Sequence, residues 1–131
     1  MIISYQKRNS GFVALISAII ISVILLLIAT NLSLTGFYDR SNILDGELKE
    51  RSSALAEACA DTAILKLANN PGYTGNEIIT VSGSDTCNIQ TINPNTDPII
   101  IGTKAIFQNA TTNLNIKVNK TDLSVVSWEE I

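Results

Sequence analysis

The sequence predicts an α+β fold in which one long N-terminal helix packs on a small antiparallel sheet of about four or five strands. Three observations support this prediction. Thirty consecutive uncharged residues lie between Arg8 and Asp39, and an amphipathic helical pattern follows over residues 39–69. Short segments rich in Ile, Val and Thr then alternate with turn sequences over residues 77–130. A helix with one apolar stripe and a sheet with one apolar face can share a single core.

The uncharged stretch predicts a transmembrane helix over residues 12–36. A helix needs roughly 20 apolar residues to cross the hydrocarbon core of a bilayer, and this segment is long enough. Lys7 and Arg8 precede it with no acidic residue beside them, so the positive-inside rule keeps residues 1–11 in the cytoplasm. Residues 37–131 are therefore expected on the outer side of the membrane.

Two other interpretations of the same segment stay open. A cleaved secretory signal has a basic start and an apolar region of about 7 to 15 residues that ends in a small-x-small site. This segment is longer, and Ala29 is the one residue near its end that keeps that option open. A plain single-span anchor that carries an extracytoplasmic domain accounts for the hydropathy equally well.

Residues 39–69 are predicted to form the second half of the long helix. Its apolar positions recur at three- to four-residue spacing or multiples of it. They are Leu44, Leu48, Leu55, Cys59, Ala63 and Leu67, with Ala56, Ala60 and Ile64 widening the stripe. Gly36 and Gly46 each disfavour helix by about 1 kcal/mol relative to Ala, so the continuity of the two halves stays open. The sequence Asn-Asn-Pro-Gly at 69–72 predicts the end of the helix.

The rest of the chain predicts consecutive antiparallel strands on one core. The predicted strands are residues 77–81, 87–92, 99–107, 114–118 and 123–128. The turn sequences between them include Ser-Gly-Ser-Asp and Asn-Ala-Thr-Thr. Apolar residues alternate at 114, 116 and 118, which indicates one buried and one solvated face. Trp128 is expected to point inward from the last strand, and Tyr73 to pack on the sheet.

Cys59 and Cys87 are the two cysteines of the chain, and we expect them to form a disulfide. One lies on the late helix, and the other lies on an early strand that should pack against it. Export beyond the cytoplasm permits oxidation, and a head of about ninety residues is small enough to benefit from a covalent link. The alternative is a pair of buried free thiols.

Composition and motifs argue against an enzyme. The chain has no His, no Gly-rich phosphate loop, no CxxC pair and no nucleophile elbow, so we expect no catalytic residues, metal or cofactor. Asp85, Asp97 and Asp122 fall in predicted turns without calcium-loop spacing. The formal charge is −3, and about −5 without the basic leader, so direct nucleic-acid binding is not expected.

The junction that precedes the apolar helix carries a family resemblance. Lys7-Arg8-Asn9-Ser10-Gly11-Phe12 resembles the class III signal of type IV pilins and of the pseudopilins of type II secretion systems. The resemblance implies that a prepilin peptidase cuts between Gly11 and Phe12 on the cytoplasmic side and that Phe12 is then N-methylated. It also implies a pilin-like fold, and an apolar helix that is retained and packs against other pilin subunits.

One residue departs from the pattern of major pilins. Their fifth mature residue is a Glu that pairs with the N-terminal amine of a neighbouring subunit, whereas the corresponding residue here is Ile16. A buried carboxylate needs such a partner to offset its desolvation, and Ile16 cannot supply the pair. The chain is in this respect similar to the Glu-lacking minor pilins and tip pseudopilins.

The sequence and this resemblance therefore predict a structural role as a minor pilin or pseudopilin. The subunit would initiate the filament, lie at its tip, or serve adhesion or DNA uptake. The expected location is the cytoplasmic membrane, with the head outside, and then a cell-surface pilus or a pseudopilus. The alternative is an unprocessed single-span envelope protein whose extracytoplasmic domain binds a partner. An enzyme is a distant third.

Overall fold

The computed structural model describes residues 10–131 and has the predicted α+β fold, a long helix followed by a five-stranded antiparallel sheet. The elements are α1 (Ser10–Asn69), β1 (Gly75–Ser82), β2 (Asp85–Thr91), β3 (Ile99–Phe107), β4 (Ala110–Val118) and β5 (Val125–Glu130). The chain divides into two compact units between Asn42 and Ile43. The predicted leader lies outside the described residues except for its last two positions.

Helix α1 runs through both of its internal glycines without a break. Each glycine disfavours helix by only about 1 kcal/mol, which the flanking good helix formers can offset. The helix ends at Asn69, as predicted. The amide of Asn70 still donates to the Lys66 carbonyl over 2.8 Å, and the Asn70 side chain then accepts from the Gly72 amide over 3.0 Å, which caps the turn.

The sheet is a simple meander, because its spatial order is the order of the strands in the chain and every neighbouring pair is antiparallel. A two-residue turn joins β1 to β2, with Gly83 at a φ of 56° where a side chain would be strained. The predicted bounds of β3 are confirmed. Those of β1, β2 and β5 differ from the predicted ones by about one to two residues, as is usual for strand ends.

The start of β4 was predicted wrongly. Asn-Ala-Thr-Thr was assigned to a turn because of its composition, but β4 begins at Ala110, which pairs with Phe107. The turn is Gln108 and Asn109 alone, and Gln108 has a φ of 53°. Gln has little preference for that region, so the residue type gave no turn signal. The extra strand residues bring Thr112 into the core.

The core lies between one stripe of α1 and the sheet face that the alternating strand residues present. Its members include Leu55, Ala56, Cys59, Ala60, Ala63 and Leu67 from the helix, with Cys87, Ile89, Ile101, Leu114, Ile116 and Val118 from the sheet. The predicted stripe is confirmed from Leu48 onward. Leu44 was predicted in the same stripe but is 54% exposed, because the buried part of the helix begins only at Leu48.

Two aromatic predictions concern the core. Tyr73 packs partly buried against it, as expected. Trp128 pairs with the fully buried Ile116, and direct cross-strand partners share one face of the sheet, so Trp128 lies on the predicted inward face. It is nevertheless 41% exposed, because β5 is an edge strand whose residues are mostly exposed.

Candidate functional site

The apolar half of α1 is the most unusual surface of the molecule. Every side chain from Gly11 to Glu47 is exposed, and the most apolar stretch of the helix is long and apolar enough to cross a membrane. A soluble monomer rarely exposes a continuous apolar surface of this size. The segment therefore needs an apolar environment that residues 10–131 do not supply, and a bilayer is one such environment.

Hydroxyl groups within this segment bond to the helix itself. Ser22 donates to the Ala18 carbonyl over 2.7 Å, and Thr35 donates to the Asn31 carbonyl over 2.8 Å. Thr30 bonds in the same way to the carbonyl of Leu27. An unpaired hydroxyl is costly in hydrocarbon, so these bonds suit a helix that is surrounded by lipid.

The C-terminal end of the uncharged stretch carries two aromatic residues. Phe37 and Tyr38 are both exposed, and their rings meet edge to face with 6.3 Å between centroids. Asp39 and Arg40 follow directly and introduce charge. Aromatic residues between an apolar segment and charged residues are typical of a membrane–water interface, so Tyr38 lies where the outer interface is expected.

The predicted processing junction lies at the start of α1. Gly11 and Phe12 are both in the first helical turn, and Phe12 is 68% exposed. Apart from its chain neighbours and the local helix backbone, no described atom lies within 4 Å of the position that a Cβ on Gly11 would take. Ile16 is 40% exposed on the same helix. Lys7 and Arg8, the basic leader residues, lie outside the part of the chain that the structure describes.

The predicted disulfide between Cys59 and Cys87 is confirmed. It joins α1 to β2 with 6.0 Å between the Cα atoms, and both residues are buried to 2% exposure or less. A link across 28 residues stabilises the folded head mainly by restricting the unfolded chain. The covalent bond thus fixes the packed part of the helix to the sheet.

A polar seam between α1 and β4 was not predicted. Ser52 is fully buried and shares a 2.6 Å hydrogen bond with Thr112, while Thr103 on β3 donates to the Ala56 carbonyl over 3.0 Å. Lys49 donates to the Thr111 carbonyl over 2.8 Å and also pairs with Glu130. These partners lie 62 and 81 residues from Lys49 in the chain, so no local sequence signal indicates them.

A second polar cluster closes the other end of the helix. Lys66 and Tyr73 both donate to the carboxylate of Glu77 on β1. The hydrogen bond from Lys66, followed by that from Tyr73, holds the pKa of Glu77 below its usual value. Burial, reinforced by the hydrogen bond to Glu77, raises the pKa of Tyr73. The cluster ties the last turn of α1 to the first strand.

The acidic residues singled out in the sequence, Asp85, Asp97 and Asp122, do not form a metal-binding group in the described part of the chain. Within residues 10–131 there is no group of three or more His, Cys, Asp or Glu residues that could hold a metal ion. Asp122 accepts hydrogen bonds from the amide and hydroxyl of Ser124, which lower its pKa. Asp97 accepts from the Lys120 amide at 3.4 Å, and Asp85 begins β2. These contacts organise turns.

Compared with protein-family models, curated proteins and solved structures, the chain gives no match.

Proposed function

We propose that this chain is a minor pilin or pseudopilin subunit that is cut after Gly11 and assembled through residues 12–36 into a type IV pilus or a secretion pseudopilus. The observation that carries the proposal is the exposed apolar helix that begins directly at the leader junction. Such a helix can lie in a bilayer before assembly and among the helices of other subunits afterwards. The head would remain outside the membrane throughout.

The chemistry of Ile16 supports a minor rather than a major subunit. A subunit inside a filament gains a register-fixing pair when a buried carboxylate docks on a neighbour's N-terminal amine. Ile16 offers no carboxylate, and neither do Ala14, Leu15 or Ser17. A subunit at the tip, or one that initiates the filament, has less need of that pair.

The proposed partners and location follow from the same helix. A prepilin peptidase would act on the Gly11–Phe12 bond at the cytoplasmic face, and other pilin subunits would pack on residues 12–36. The disulfide is compatible with a head that folds beyond the cytoplasm, where oxidation is permitted. We propose a structural role for the head, with adhesion or DNA uptake as the processes it would serve, and no catalytic role.

N-terminal sequencing after co-expression with a prepilin peptidase tests the proposal. We expect a new N-terminus at Phe12, with one added methyl group detected by mass spectrometry. Gly11→Val should abolish the size shift, because the peptidase of this family requires Gly before the cut. Gly36→Val is the matched control, since both glycines are helical and, among the described residues, a Cβ at either would contact nothing beyond its chain neighbours and the local helix backbone.

Other outcomes would distinguish the alternatives. An intact Met1 start in the presence of an active peptidase would favour the unprocessed single-span envelope protein. Cleavage near Ala29 would indicate a secretory signal and would remove the apolar helix altogether. Processing of Gly11→Val at the wild-type rate would contradict the assigned junction.

A further inference from the structure

The outer face of the sheet, which points away from α1, carries apolar side chains around one lysine. Ile78 on β1 and Ile106 on β3 are 68% and 55% exposed, and Lys104 lies with them at a hollow of about 300 Å³. Lys104 forms no salt bridge with any residue that the structure describes. We call Ile78, Lys104 and Ile106 the sheet patch. Apolar side chains that are exposed together, rather than singly, indicate a contact surface.

The outer surface of α1 within the head offers the complementary chemistry. Asp61 and Leu65 are one helical turn apart, and both are exposed, Leu65 to 61%. Ala54 and Ala68 are also exposed and flank them with small side chains. Asp61 has no salt-bridge partner in the described part of the chain. We call these four residues the helix stripe. A second protein surface could contact both the carboxylate and the leucine.

The disulfide sets the helix stripe and the sheet patch at the same height along α1. Cys59 is bonded to Cys87, and Cys87 pairs with Ala105, the neighbour of Lys104 in the chain. Asp61 lies about half a turn beyond Cys59, a rise of about 3 Å. Asp61 and Lys104 therefore lie at nearly the same height, on opposite outer surfaces of the head.

The two surfaces also run in the same direction from charge to apolar side chain. Helix α1 crosses the sheet diagonally, because Ala56 contacts β3 and Lys66 contacts β1. The helix stripe therefore leads from its carboxylate to its leucine toward β1. The sheet patch leads in the same way from its lysine on β3 to Ile78 on β1, along one cross-strand row.

We propose that the sheet patch of one chain binds the helix stripe of a second copy of this chain. In this contact Lys104 pairs with Asp61, and Ile78 packs against Leu65. The two copies are displaced without rotation, because the two surfaces match in height and direction. Each copy contributes a different surface, so the contact is heterologous and can add further copies at either end. It uses the head and goes beyond the proposed function, which uses residues 12–36.

The contact should be strongest between chains that share a membrane. An exposed ion pair contributes little by itself, so most of the affinity must come from the apolar side chains and from a high local concentration. Anchoring in one bilayer raises that concentration. Copies related by displacement also have the same orientation, which is compatible with two anchors in one membrane.

Zero-length cross-linking of the full chain in vesicles of neutral lipid tests the proposal. A carbodiimide removes water between an amine and a carboxylate that are in contact and leaves an amide bond. We expect covalent dimers joined through Lys104 and Asp61, located by mass spectrometry. The same link cannot form within one head, because these side chains lie on opposite outer surfaces. Lys117, which lies opposite Ile100 at the other end of the β3–β4 pair, is the control lysine and should give few links.

A matched pair of variants tests the apolar part of the contact. Ile78→Ser should lower the yield of dimers about tenfold, because it removes the apolar contact and leaves both reactive groups in place. Ile100→Ser is the control, since Ile100 is 48% exposed on the same face and lies outside the sheet patch. It should leave the yield unchanged.

Several outcomes would overturn the contact. They are the absence of covalent dimers, dimers joined mainly through Lys117 or other groups, an unchanged yield with Ile78→Ser, and equal losses with the two serine variants. Cleavage after Gly11 is measured separately by N-terminal sequencing. A failure of the head contact can therefore be distinguished from a failure of the proposed function.

Discussion

Residues 12–42 of α1 differ from residues 48–67 of the same element in where their partners lie. The first segment exposes every side chain, and its paired hydroxyls bond to its own carbonyls. The second buries a stripe against the sheet, is linked to β2 by a disulfide, and reaches β4 through Ser52. Both are helical, so the helix itself does not distinguish them. The comparison teaches that the second segment finds its packing partners within the head, whereas the first segment exposes its apolar side chains to whatever surrounds it.

The largest expected effect comes from applying one substitution to both regions. Ile116→Ala should destabilise the head by about 4 kcal/mol, because Ile116 is fully buried and the change leaves a cavity. Ile24→Ala should leave head stability unchanged, since Ile24 is 50% exposed in the apolar segment. Denaturant unfolding followed by the fluorescence of Trp128, the single tryptophan, measures both. Equal losses of stability in the two variants would contradict the contrast between the buried core of the head and the exposed apolar segment.

Removing the disulfide should have the next largest effect. The double variant Cys59→Ala/Cys87→Ala should lose about 3 kcal/mol of head stability, because the unfolded chain regains the freedom of a loop that spans 28 residues. Membrane insertion should be unchanged, since the apolar segment lies outside that loop. Denaturant unfolding and membrane fractionation measure the two properties. Alkylation of both thiols in the unfolded, non-reduced wild-type protein would contradict the bond.

The smallest expected effect is a loss of head stability at acid pH through Glu77 on β1. The pKa of Glu77 is lower in the folded state than in the unfolded state, first through Lys66 and then through Tyr73. Its contribution to stability is therefore fully present above about pH 4.5, the ordinary glutamate value, and is lost as the pH falls through the lower folded pKa. Glu77→Gln should flatten the stability profile below that pH. Glu57→Gln on the exposed helix surface is the control, and an equal flattening by both would contradict the assignment.

The elements that the sequence predicted best are those whose signals are local. The start of β3 follows from the run Ile99–Ile101 after the turn sequence that ends at Pro98, and the end of α1 follows from Pro71 and Gly72. The pairing of Cys59 with Cys87 could be predicted because the chain has two cysteines and one plausible core. Each of these predictions needs only a few adjacent residues or the number of cysteines in the chain.

The features that sequence reasoning missed depend on residues far apart in the chain. Lys49 meets Thr111 and Glu130, and Ser52 meets Thr112, across more than fifty residues. Trp128 has the alternation of a core residue, yet its exposure depends on the strand's position at the edge of the sheet.

The self-bonded hydroxyls of α1 have a consequence for movement between environments. Because Ser22, Thr30 and Thr35 carry their acceptors with them, the helix can exchange lipid neighbours for protein neighbours without losing these hydrogen bonds. A hydroxyl that relied on a partner in one setting would resist that exchange. These hydrogen bonds therefore do not oppose a transfer from lipid to protein surroundings. The free energy of such a transfer would depend on how well the apolar side chains pack against lipid and against protein.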